Sequence, residues 1–177
     1  MRQTDTSNRL PACNHWGAIA CMVLLVASAP GASAHGDAHA KAAASVKKEQ
    51  KDWGIAGDAR QVGRTIDITM SDTMRFSPDR IEVRQGDTVR FRIRNSGRML
   101  HEMVIGTAGE LREHAALMLK FPNMEHDEPY MAHVPQGKTS QMLWHFNRAG
   151  DFDFACLIAG HFQAGMVGKI IVRPASR

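Results

Sequence analysis

Cys156, His161 and Met166 follow one another at five-residue steps in Cys-Leu-Ile-Ala-Gly-His-Phe-Gln-Ala-Gly-Met. A thiol, an imidazole and a thioether are thus gathered on one short segment. Soft donors with imidazole select copper over calcium, magnesium or manganese. A mononuclear blue-copper site uses one Cys, two His and usually a weak axial Met. The segment supplies all but one imidazole. His101, in Asn-Ser-Gly-Arg-Met-Leu-His, is the favoured source; His114, His126, His133 and His145 are the alternatives. A lone Cys or Met is most often core packing. Here Gly160 and Gly165 each directly precede a ligand candidate, and glycine allows the tight backbone that a compact metal loop needs.

The elements around these residues read as strands. Asp151–Cys156 alternates Phe152 and Phe154 against polar neighbours, and Val167–Val172 is apolar. The ligand segment therefore links two strands. Thr65–Met70, Ile81–Arg84, Thr88–Arg94, His101–Ile105 and Gln141–Phe146 also carry strand patterns. His101, Met103 and Ile105 fall on one face of theirs. Glu110–Lys120 breaks the series: Leu111, Ala115 and Met118 recur at helical spacing, Leu119 widens the stripe, and Pro122 follows its end. Pro129, Pro135 and Gly137 punctuate an expected irregular loop. Many short strands with turn signals predict an all-β sandwich, with the helix as an insertion.

Residues 1–34 read as a secretory signal peptide. Arg2 and Arg9 precede a short apolar core, and Ala32-Ser-Ala34 fits a cleavage site. Cleavage there removes Cys13 and Cys21 and leaves Cys156 as the one cysteine. That excludes an internal disulfide and any copper centre bridged by two thiolates. Residues 35–60 have few large apolar groups and predict a mobile arm; residues 61–177 have the length of one domain. The net charge of +4 is too mild to indicate nucleic acid. After cleavage no long apolar stretch remains to insert in a membrane.

The chain resembles the cupredoxins, the type 1 blue-copper family of Greek-key β-sandwiches, over about Thr65 to Val172. The resemblance rests on Gly86-Asp-Thr-Val, on Asn95…His101, and above all on Gly150-Asp-Phe-Asp-Phe-Ala-Cys156…Gly-His161…Gly-Met166. It implies His101, Cys156 and His161 as equatorial ligands and Met166 as the axial one. The step from Cys156 to His161 is longer than in plastocyanin-like proteins, and that from His161 to Met166 longer than in azurin-like ones. Glu102 after His101, and an insertion rich in Met and His, look most like the periplasmic copper-resistance cupredoxins.

Further donors lie outside that set. Met124, His126, Met131 and His133 fall in one irregular segment and form a candidate second copper site, against the ordinary use of Met as packing. Cleavage after Ala34 would expose His35 as a new N-terminus, and His35 with His39 could chelate cupric copper. Arg90, Arg92 and Arg94 form a basic stripe, suited to an acidic partner or to a solvated strand face. Copper tolerance in the periplasm is the leading function, with copper in both oxidation states as cofactor and a periplasmic redox or copper-donor protein as partner. A soluble periplasmic electron carrier is the alternative. The chain has no His-x-His pair and room for one domain, so turnover of an organic substrate is not expected; oxidation of cuprous ions stays open.

Overall fold

The computed structural model describes residues 48–122, 124 and 126–176. The expected signal segment, the first part of the expected arm, and with them Cys13, Cys21, His35 and His39, lie outside the described residues. The rest forms two five-stranded sheets. The first contains β1 (Ile55–Ala56), β8 (Thr139–His145), β5 (Thr88–Asn95), β2 (Arg64–Ser71) and β3 (Arg75–Ser77), in that spatial order. The second runs β4 (Arg80–Arg84), β10 (Val167–Arg173), β9 (Gly150–Ala155), β6 (His101–Gly106) and β7 (Met131–Val134). Pairing is antiparallel except for β2 with β5 and β4 with β10, which are parallel.

Alternation along each strand supplies the core between the sheets. Phe91 and Ile93 of β5 and Met142 and Trp144 of β8 face Met103 and Ile105 of β6 and Phe154 of β9 in one buried cluster. On the outward face of β5, Arg92 pairs with Asp67 on the neighbouring strand, so the basic stripe is partly neutralised within its own sheet.

Strand β6 departs from half-burial: all six of its residues are buried. Its outer face is roofed by helix α1 (Ala108–Lys120). Thr107 and Glu110 close a reciprocal capping box at its start, which satisfies donors that a helix N-terminus leaves open. Leu111, Ala115 and Met118 then pack with Val104, Met131, Ala155 and Leu157 in a second cluster. Leu119 does not join this stripe; it is exposed.

Two expectations need correction. The arm ends earlier than residue 60. Trp53 is 4% exposed and meets Tyr130 edge-on, with ring centroids 5.4 Å apart. Its backbone oxygen accepts from Trp144 Nε1 at 2.8 Å, and β1 then pairs with β8. One large aromatic docks a segment whose composition otherwise reads as solvated. The loop between Pro129 and Pro135 also contains a strand, β7, paired with β6 at the sheet edge. An edge position tolerates flanking prolines.

Trp53→Ala should therefore lower unfolding free energy by about 3–5 kcal/mol, read by denaturant titration. A change within a few tenths of a kcal/mol would show that the segment adds nothing to the fold.

Candidate metal centre

His101 opens β6, and its position is fixed by the loop before it. Asn95 ends β5 fully buried. Its side-chain amide donates to the carbonyls of Met99 (2.7 Å) and Val134 (2.8 Å), and its oxygen accepts from Gly97 N–H (2.8 Å). Asp72, in the turn between β2 and β3, accepts from the N–H of Arg98 (2.8 Å) and of Met99 (3.3 Å). A Cβ at position 97 would collide with that carboxylate, so glycine is required there. The same carboxylate lies 3.1 Å from His101 Nε2. The Arg98 N–H foremost, and His101 with it, holds Asp72 below the usual carboxylate range.

Cys156 follows β9, and the next ten residues fold back in tight turns. Cys156 N–H donates to the Met166 carbonyl (3.0 Å), and Met166 N–H to that of His161 (3.1 Å). Gly160 and Gly165 have φ of +90° and +85°, a region that favours glycine. Arg75 of β3 donates to the carbonyls of Ala164 (3.1 Å) and Gly165 (3.4 Å), tying the loop to the opposite sheet.

These supports bring His101, Cys156 and His161 together, with one donor atom from each inside a 4.8 Å cluster. The imidazole rings of His101 and His161 have centroids 4.9 Å apart, and Cys156 Sγ is 3.2 Å from His161 Nδ1. His101, Cys156 and Met166 have no exposed surface, whereas His161 keeps 8%. His101 Nδ1 is buried with no hydrogen-bond partner. A buried polar atom without a partner is costly, and a metal ion is the partner that this donor set fits. The soft sulfur and two imidazoles suit copper.

Burial also sets the protonation preferences of the site. Burial, and then the nearby His101, pushes the His161 imidazole below its ordinary value, which keeps it neutral and able to ligate. Burial pushes the Cys156 thiol up to about 12, even though Glu102 N–H donates to Sγ at 3.4 Å.

Of the alternative imidazoles, His145 bonds Thr88 Oγ1 in the first sheet (2.9 Å). His114, His126 and His133 lie near one another instead. His126 and His133 share a groove with Met124 and Met131, as their sequence proximity suggests. Sequence reasoning missed Asp72 and Arg75. Each reads as an ordinary turn or edge residue, and no local signal links either to a ligand far along the chain. Glu102 carried a signal, a charge inside an apolar strand. It is fully buried, and its carboxylate accepts from Leu157 N–H at 2.8 Å. The second oxygen lies 2.7 Å from His133 Nε2, a close polar contact in which the N–H is not aimed squarely at it. That contact raises the His133 imidazole above its ordinary value.

Residues 62–173 match the family described as copper binding proteins, plastocyanin/azurin family. The chain belongs to that family. This cupredoxin is 46% identical over 159 residues to the copper-resistant cuproprotein CopI of Rubrivivax gelatinosus, covering 88% of this chain and 95% of that one. It is 34% identical to the protein of the same name from Pseudomonas aeruginosa, covering 86% and 92%. Among solved structures it is similar to auracyanin B, with a TM-score of 0.57 at 18% identity, over 68% of this chain and 96% of that one. That likeness supports the two-sheet fold alone.

A thiol this buried should resist modification. Metal-free folded protein at pH 7 should react with a disulfide reagent far more slowly than the urea-unfolded chain, since reaction needs an accessible thiolate. Equal rates would contradict the buried placement of Cys156.

Proposed function

We propose that this protein is an exported copper-tolerance cupredoxin. His101, Cys156 and His161 would hold one copper of type 1 character, with Met166 as a fourth, weaker donor. The observation that carries the reading is the cluster of one thiol and two imidazoles, in which a buried nitrogen of His101 lacks any other partner. The relatives named for copper resistance, aligned over most of both chains, support the physiological half.

Bound copper would supply one-electron redox chemistry. The chain's own groups do the rest. Asp72 fixes the ring of His101 by engaging Nε2 and leaves Nδ1 for the metal, as outer partners of ligating histidines commonly do. The Cys156 proton must leave on loading, so uptake releases protons and weakens as pH falls. The Glu102 N–H aimed at Sγ then stabilises the thiolate. The buried loop keeps water from three of the four ligands, and the His161 edge is the natural path for an electron.

That edge also suits the second reading, a soluble electron carrier. Export by residues 1–34 is supported by their charge and apolar pattern. Among the described residues no helix is long and apolar enough to cross a membrane. We assign no turnover of an organic substrate.

A deletion strain should become copper-sensitive while respiring normally, and Cys156→Ser should fail to restore tolerance. A respiratory defect without copper sensitivity would favour the carrier. In vitro, Asp72→Ala should weaken copper binding about 10–100-fold, measured by competition with a chelator. Unchanged affinity would remove Asp72 from the support of His101.

A further inference from the structure

Three imidazoles outside the type 1 ligand set converge beside the helical insertion. His114 comes from α1, His126 from the segment after it, and His133 from β7. The rings of His114 and His126 have centroids 4.5 Å apart, and those of His126 and His133 5.9 Å apart. We propose that His114, His126 and His133 form a second, exchangeable copper site.

The nitrogen assignments favour ligation. His126 Nδ1 lies 3.2 Å from the Met124 carbonyl, which orients the ring. Its Nε2 is buried and has no partner. His133 Nε2 is held against the Glu102 carboxylate at 2.7 Å, which leaves Nδ1 as the free donor. A histidine braced by carboxylate or carbonyl on one nitrogen presents the other to a metal. His114 sits against His126 with its side chain in no hydrogen bond among the described residues.

Geometry also says that the site is adjustable. Among the described residues, only the His101, Cys156 and His161 donors all fall within 4.8 Å of one another. The second cluster must close by rotating side chains, and Asp127 and its neighbours, which form no helix or strand, leave His126 room to do so. Such a site exchanges metal more readily than one packed into the sheet. Imidazole accepts both oxidation states of copper, and copper outranks zinc at nitrogen sites. Met124, 42% exposed in the same groove, adds a thioether for cuprous ions. Met131 and Met118 are buried in the packing under the helix and act there as core.

The two sites meet at Glu102. Its backbone N–H touches Cys156 Sγ while its side chain braces His133. The second site nevertheless stands without the type 1 assignment, because none of its donors belongs to that cluster.

The test is copper titration of the full chain carrying Cys156→Ser, followed by EPR. Retention of about one cupric ion per chain with nitrogen hyperfine structure is expected, and its loss on adding His114→Ala and His126→Ala. His35→Ala with His39→Ala should leave it in place. No copper bound at micromolar concentration would overturn the proposal, as would copper that follows the His35 and His39 substitutions instead. A second measurement guards against misfolding of the serine variant. In the chain with Cys156 intact, His126→Ala should abolish uptake beyond the first copper and keep the thiolate-to-copper band. Unchanged stoichiometry would contradict the site.

Discussion

Strand β6 is buried on both faces, and each face carries a polar group that burial would penalise if it stood alone. His101 points into the sandwich and Glu102 lies under the insertion. Desolvating an imidazole and a carboxylate costs several kcal/mol without partners. The surrounding structure can be understood as the set of partners that removes this penalty. Asp72 reaches His101 from the first sheet, and Leu157 N–H and His133 meet Glu102 from the second. His101 Nδ1 keeps no hydrogen-bond partner, and His101 lies in the cluster with Cys156 and His161.

The same constraint explains the insertion. In a sheet with one wet face, Val104, Ala155 and Leu157 would meet solvent. Helix α1 covers them with Leu111, Ala115 and Met118. It therefore supplies the dry outer face that lets Glu102 serve two neighbours at once. The segment after the helix returns along β7 and carries His126 and His133 to the same place. Methionine fills this layer because its flexible thioether adapts to irregular gaps.

Local pattern was enough for much of this. The strand periods of β2, β4, β5, β8, β9 and β10 are visible in the chain, because alternation records which side chains face the core. The helix is legible from Leu111, Ala115 and Met118. The resemblance led to the cupredoxin fold, which the family match and the two sheets confirm. Other features needed the third dimension. The docking of Trp53 depends on a ring that Tyr130 presents from far along the chain. Strand β7 is hidden between prolines, where edge pairing overrides the turn signals. Leu119 matches the helical stripe in sequence, yet it lies beyond the area that the sheet can cover. Among the proposed metal donors, Cys156, His161 and Met166 could be read from one short loop, and the glycines beside them take the left-handed backbone expected. His101 could be ranked but not separated from four other histidines until the fold placed it against the loop. Asp72 and Arg75 act through distance in space alone.

The most direct test of the account is X-ray absorption at the copper edge, on protein loaded with one equivalent of copper. The account predicts a close shell of one sulfur and two imidazole nitrogens, with the sulfur lost in Cys156→Ser. A first shell of nitrogen and oxygen alone, unchanged by that substitution, would contradict it.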